Sequence, residues 1–311
     1  MKKYLAAVAI GTSLLAPLAA HAEKIGVTMF DYDDTFRSLL RAGVDDAAKK
    51  AGVTAQFEDA KQDVGKQLSQ IQNFIAQKFD AIIVQPVDSD ATSKITKLAA
   101  DAKIPLIYIN MKPADFDRLP AGVAVVASDE IVGGTVQAQA VCKALGGKGK
   151  ALVLMGDLVH EAARTRTQAV EQTFKTDKAC TDMKVVDKRE GKWSRTTAQD
   201  IVTNWMTSGV QFDAIIANND EMALGAVIAL KATGKWKPGT VVAGIDATRD
   251  ALASMKAGDL KVTVFQNASA QGAGSVEAAP KLLKKQKVDK FVNVPFELVT
   301  PANMADYSKK N

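Results

Sequence analysis

The sequence predicts an α/β protein built as two doubly wound, parallel-sheet lobes of similar design. Short β-rich runs alternate with helix-period segments along most of the 311 residues, a length that itself suggests about two domains. Most strand runs are continuously apolar, as strands covered on both faces require. One run, FDAII, occurs twice, at 79–83 and again at 212–216.

The chain opens with Lys2 and Lys3, an apolar stretch over 5–18 and the sequence AHA at 20–22. That order of basic, apolar and small residues reads as a secretory signal peptide over 1–22, cleaved after Ala22. No later stretch approaches the ~20 apolar residues of a membrane span. The expectation is a mature chain starting at Glu23, exported, soluble and periplasmic. The strand candidates then follow in order: IGVTMF (25–30), DAIIVQP (80–86), PLIYIN (105–110), VAVVAS (123–128) and ALVLMG (151–156). After these come MKVVDKR (183–189), FDAIIAN (212–218), TVVAGID (240–246), VTVFQN (262–267) and VPFELV (294–299). Between them apolar residues recur at helical spacing, as in Phe36, Leu39, Leu40, Val44, Ala47 and Ala48, or Val64, Leu68, Ile71 and Ile75.

The formal charge of +5 falls to +3 once Lys2 and Lys3 are removed. The remaining basic residues are dispersed among acids, with none of the basic stripes and interleaved aromatics that mark a nucleic-acid surface. Two cysteines in an exported chain, Cys142 and Cys180, are candidates for one disulfide.

Catalytic arrangements are not legible. There is no G-x-S-x-G elbow and no G-x-x-x-x-G-K-[ST] loop. His160 is the one histidine of the expected mature chain, too few for a histidine metal site or a nucleophile–base pair. Asp31, Asp33 and Asp34 have no calcium-loop spacing after them. GGKGK (146–150) precedes a strand and reads as a turn, while QGAGSVE (271–277) lacks the third glycine of a dinucleotide fingerprint. No enzyme, no cofactor and no metal are expected.

Polar residues instead gather where strands end. Asp33, Asp34 and Thr35 follow the first strand, Asn110 follows PLIYIN, Asn218 to Glu221 follow FDAII, and Asp246 ends VVAGID. In open α/β sheets ligands bind outside the carboxyl ends of the strands, although Asp, Asn and Thr are also the preferred helix caps. Carboxylates, amides and guanidinium groups suit a polyhydroxyl ligand, each of whose hydroxyls donates and accepts. Trp193, in the polar segment KWSR, and Phe36, in DDTFRS, are flat faces for its C–H surface.

These residues carry a family. NNDEMALGA (218–226), with PVDSDA (86–91), VASDEIVGG (126–134), AARTR (162–166) and GID (244–246), resembles periplasmic sugar-binding proteins of ABC transporters, the ribose- and galactose-binding type. DDTF (33–36), the segment 58–77, NWMTSG after KWSR, and VFQNASAQG (264–272) are most similar to the branch that binds myo-inositol and rhizopines. The resemblance implies a periplasmic binding protein of type I, with two lobes joined by a three-strand hinge. It implies crossings near Ser128–Asp129, Gln266–Asn267 and Asn293–Val294, so that 23–128 with 267–293 forms one lobe and 129–266 with 294–311 the other. It also implies ligand contacts at Asp34, Phe36, Asn110, Arg166, Trp193, Asn219, Asp246 and Gln266, with Phe30, Asp31 and Arg37 as secondary candidates. Within NND, the ligand residue is Asn219, and Asp220 and Glu221 are read as first-turn acids capping the helix. Where the family has an acid or amide followed by arginine, this chain has Asn110 followed by Met111 and Lys112. The implied partners are a small sugar or inositol, a membrane permease and a chemoreceptor, with the protein itself a monomer. The effector half of a sugar-responsive repressor shares the fold, but a signal peptide stands where its DNA-binding helices would be. An exported polyol enzyme is the other rival.

Overall fold

A computed structural model describes residues 23–234, 236–237 and 239–310. The expected signal peptide, 1–22, lies outside the described residues. No described helix is long and apolar enough to cross a membrane.

The first sheet is assembled from β1 (Lys24–Met29), β2 (Thr54–Asp59), β3 (Ala81–Val84), β4 (Leu106–Ile109), β5 (Val123–Ala127) and β11 (Phe291–Asn293). It is wholly parallel, in the order β11-β5-β4-β3-β1-β2. Helices α1 (Thr35–Ala51), α2 (Val64–Ala76), α3 (Thr92–Ala102) and α9 (Ala268–Leu283) belong to the same lobe. The second sheet contains β6 (Lys148–Met155), β7 (Asp182–Glu190), β8 (Ala214–Ala217) and β9 (Val241–Ala243), parallel in the order β7-β6-β8-β9. Isolated parallel bridges from Ala243 to Val262 and from Asp246 to Phe265 seat β10 (Thr263–Phe265) beside β9, and β10 pairs antiparallel with β12 (Glu297–Val299). Helices α4 (Glu130–Ala144), α5 (Glu161–Thr176), α6 (Arg195–Thr207), α7 (Asp220–Ala232) and α8 (Arg249–Lys256) complete this lobe. The chain passes between the sheets three times, from β5 to α4, from β10 to α9 and from β11 to β12.

The repeated FDAII lies in equivalent strands. β3 is third in the series β2-β1-β3-β4-β5, as β8 is in β7-β6-β8-β9-β10. Both strands are buried at every position, which is why neither can spare an alternating polar residue. The aspartate has the same work in each copy. Asp80 Oδ2 accepts from the Lys24 backbone N–H at 2.7 Å, and Asp213 Oδ2 accepts from that of Lys150 at 2.8 Å.

Two strands were not legible in the sequence, β2 and β11, and both are edges of the first sheet. TAQFED is polar and only partly buried, and FVN is three residues long with no fully buried position. The glycines of QGAGSVE serve packing rather than phosphate binding. A Cβ on Gly272 would lie 2.4 Å from the Gly43 carbonyl carbon, so α9 and α1 approach closely only because both positions are glycine. Cys142 in α4 and Cys180 after α5 form a disulfide, with their Cα atoms 5.5 Å apart.

Candidate functional site

The carboxyl ends of the strands in both lobes face a common cavity. All eight residues expected to contact a ligand line it: Asp34, Phe36 and Asn110 from the first lobe, Arg166, Trp193, Asn219 and Asp246 from the second, and Gln266 at a crossing between them. Four more join them, Arg37, Gln85, Met111 and Ala162. Of the secondary candidates, only Arg37 reaches the cavity; Phe30 and Asp31 stand behind it.

On the first-lobe side, Asp34 both lines the cavity and caps α1, accepting from the Arg37 backbone N–H at 3.0 Å. Arg37 is oriented from behind. Its Nε forms an ion pair with Asp31 Oδ1 at 2.7 Å, and its guanidinium lies 4.8 Å from the centre of the Phe30 ring. Gln85, at the end of β3, accepts from the Phe30 backbone N–H at 3.4 Å and donates to Asn110 Oδ1 at 3.0 Å. Asn110 donates to Gln271 at 3.2 Å, and Gln271 donates to Ser128 Oγ at 3.0 Å, so a chain of amides runs from the cavity to a crossing. Asn110 has φ 68°, a left-handed conformation that asparagine tolerates.

On the second-lobe side the polar cluster after β8 divides differently from expectation. Asn218 is internal: its Oδ1 accepts from the Gly156 N–H at 3.0 Å, and its carbonyl accepts from Arg166 Nη1 at 2.7 Å. Asn219 is the helix cap, accepting from the Met222 N–H at 3.0 Å, and it also lines the cavity. Asp220 and Glu221 stand in the first turn of α7, as expected, but the cap itself is Asn219 and their side chains bond elsewhere. Asp220 is buried and accepts from Thr248 N at 2.8 Å and Thr263 Oγ1 at 2.7 Å. Glu221 accepts both Nε and Nη2 of Arg195.

Arg166 is almost fully committed within the protein. Nε and Nη2 meet Glu130 in a fork, Nη2 also meets Gln266 Oε1 at 3.1 Å, and Nη1 takes the Asn218 carbonyl. These bonds take four of the five guanidinium N–H groups. Trp193 is buried rather than displayed on a polar loop. A Cβ on Gly156 would stand 2.2 Å from its ring, so the missing side chain there makes the indole's space. Its φ of 62° is left-handed, uncommon for a bulky residue and typical of strain held at a working site.

The cavity concentrates buried acids. Burial pushes the Asp34 carboxyl up, opposed by Arg37. Asp246 is pushed well above the usual carboxylate range by burial and by the neighbouring Asp220. Burial also drives Asp220 up to about 7, against the hydrogen bonds from Thr248 and Thr263. With the amides and guanidinium groups beside them, the Asp34 and Asp246 carboxyls give the cavity both acceptors and donors.

A family signature described as a periplasmic binding protein domain matches residues 25–287. The chain belongs to the periplasmic binding protein family. A putative rhizopine-binding protein from Rhizobium meliloti is 52% identical over 312 residues, covering 100% of both chains. The ribose import binding protein of Salmonella typhimurium is 30% identical over 302 residues, covering 96% of this chain and 98% of its own. Among solved structures, an ABC transporter solute-binding protein from Bacillus halodurans with bound myo-inositol superposes with a TM-score of 0.86 at 38% identity, covering 93% of this chain and 98% of its own.

In this periplasmic binding protein the lobes touch on both sides of the cavity. On one side Thr35 Oγ1 donates to Glu221 at 2.8 Å, with Arg195 holding the carboxylate. On the other, Ser89 N donates to the Val159 carbonyl at 3.1 Å, Arg164 meets Asp90 at 3.1 Å, and Lys112 meets Glu161 at 2.9 Å. Met111 and Lys112 thus separate two tasks: the methionine lines the cavity while the lysine bridges the lobes.

Proposed function

We propose that this protein captures a cyclic polyol, myo-inositol in the first instance, between its two lobes and delivers it to the permease of an ABC transporter. The observation that carries the reading is the cavity itself. Carboxyl, amide and guanidinium groups from both lobes converge there on a space walled by the rings of Phe36 and Trp193. Each ligand hydroxyl would find a partner able to donate or accept, and the rings would cover its C–H faces. Asp34, Arg37, Gln85 and Asn110 bind from one lobe, Arg166, Asn219 and Asp246 from the other, and Gln266 from the crossing. Arg37 supplies the fork donor that Met111 cannot.

On this reading the lobes are 23–128 with 267–293 and 129–266 with 294–311. They close by hinge motion at the three crossings, because the ligand contacts both lobes only when they are shut. The protein is secreted by a signal peptide cleaved after Ala22 and works as a monomer. Its closed form is presented to the permease, and to a chemoreceptor where one is present. Ribose, galactose or another polyol is the second reading, favoured by the 30% identity to a ribose import protein.

A thermal-shift screen of purified protein against pentoses, hexoses, inositols and alditols tests the assignment, since a ligand that binds only the native state raises its stability by mass action. The largest shift is expected with myo-inositol. No shift with myo-inositol and a clear one with a pentose or hexose would replace the first reading by the second.

A further inference from the structure

His160 is fully buried at the N-cap position of α5, yet its side chain makes no cap hydrogen bond. It is turned instead into the seam between the lobes. Nδ1 faces the indole Nε1 of Trp193 at 2.9 Å, and Nε2 faces the Val87 carbonyl, in the first lobe, at 3.0 Å. An indole nitrogen only donates, so Nδ1 is the acceptor and the ring proton sits on Nε2, pointing at Val87. The Phe30 ring, also from the first lobe, meets the imidazole edge-on with centroids 4.8 Å apart.

We propose that His160 is a positioning residue that couples the cavity wall to lobe closure: it holds the Trp193 indole in place while bonding Val87 across the seam. Other contacts across that seam, Ser89 N to the Val159 carbonyl, Glu161 N to Ser89 Oγ, Arg164 to Asp90 and Lys112 to Glu161, do not involve a cavity-lining ring. His160 does. Opening the lobes removes its Val87 and Phe30 contacts together and leaves the imidazole without its first-lobe anchor. The indole then shares its hydrogen bond with an imidazole free to turn, while Asn219 holds only the Trp193 backbone, donating to its carbonyl at 3.3 Å. The bond from Trp193 requires an unprotonated Nδ1, and the bond to Val87 requires the proton on Nε2. The charged groups facing it are Asp157, Asp88 and Arg37, and burial keeps its pKa down to about 4.

The inference rests on the reading that the lobes close around a polyol, and its test separates the two. Asparagine at this position presents an acceptor near Nδ1 but cannot reach Val87; glutamine reaches toward Val87 but loses the acceptor. In His160→Asn, the Ser89 amide, which bonds across the lobes, is expected to exchange hydrogen faster. Release of myo-inositol, followed by stopped-flow tryptophan fluorescence, should speed up about tenfold with the association rate unchanged. In His160→Gln, Ser89 protection should persist while the Trp193 fluorescence changes. If wild-type protein ignores myo-inositol, the ligand assignment fails, and Ser89 exchange still decides the coupling. Folded variants with the Ser89 exchange and release rate of the wild type would overturn it.

Discussion

Asp31 Oδ1 lies 2.7 Å from Nε of Arg37, so a carboxylate outside the cavity aims a guanidinium into it. The Phe30 ring covers the same guanidinium from behind. This arrangement supplies from α1 what the segment after β4 lacks, since Met111 carries no donor. Replacing Arg37 by Met should weaken myo-inositol binding at least tenfold by calorimetry. Lysine should not restore it, because an ammonium cannot present a fork. Asp31→Asn should give a smaller loss through misorientation alone. An Arg37→Lys variant with wild-type affinity would contradict the role.

Trp193 and Asp246 face the cavity from separate loops of the second lobe. Trp193→Ala and Asp246→Ala are each expected to weaken binding at least tenfold, about 1.4 kcal/mol, with the circular dichroism spectrum of a folded protein retained. Unchanged calorimetric affinity in both would remove these residues from the site.

Gly156 offers a test that touches no ligand-binding group. A Cβ there would stand 2.2–2.4 Å from three atoms of the Trp193 ring, so Gly156→Ala must displace the indole. The overpacking should cost ~1–3 kcal/mol, and ligand affinity should fall alongside a shift in tryptophan emission. Retained affinity with a shifted emission would mean that binding tolerates a moved ring.

The pattern of what was legible has a physical basis. Central strands announce themselves because both faces are buried, as AIIV and AIIA show; β2 and β11, at the sheet edges, carry no such run. The strand-end chemistry was legible through residue type, but the division of labour in Asn218 to Glu221 was not. Capping and cavity lining call for the same short polar side chains, and Asn219 performs both. Gln85 carried a weaker signal, its place after the first FDAII, parallel to Asn218 after the second. Trp193 reads as a ligand-facing ring from its polar neighbours Lys192 and Ser194, but its depth of burial was not legible. Its burial depends on Gly156 and His160, residues distant in sequence that only the fold brings near.

The disulfide ties α4 to the loop after α5 inside one lobe, its cysteines 38 positions apart in the chain. Constraint of the unfolded chain by a loop of that size is worth about 4 kcal/mol. Neither cysteine lines the cavity. Reduction, or the double Cys→Ala change, should therefore lower the melting temperature while ligand affinity measured below the transition stays the same. A melting temperature indifferent to reductant would argue against the bond.

His160 gives stability a pH dependence with a defined sign. In the unfolded chain an imidazole protonates near 6.5, whereas burial holds the native ring neutral down to about 4. Between those values the unfolded state binds a proton that the native state refuses, so stability is lost as pH falls from about 6.5 to about 4. The full effect is roughly 3 kcal/mol. The raised carboxyls of Asp34, Asp220 and Asp246 act oppositely, since their native forms keep protons that the unfolded chain has released. The comparison must therefore be made between wild type and His160→Gln, which share those acids. Urea unfolding at pH 7, 5 and 4 should show the wild type losing more stability than the variant across this range. Parallel losses in the two proteins would mean that the buried imidazole is not what the acid side of the profile reports.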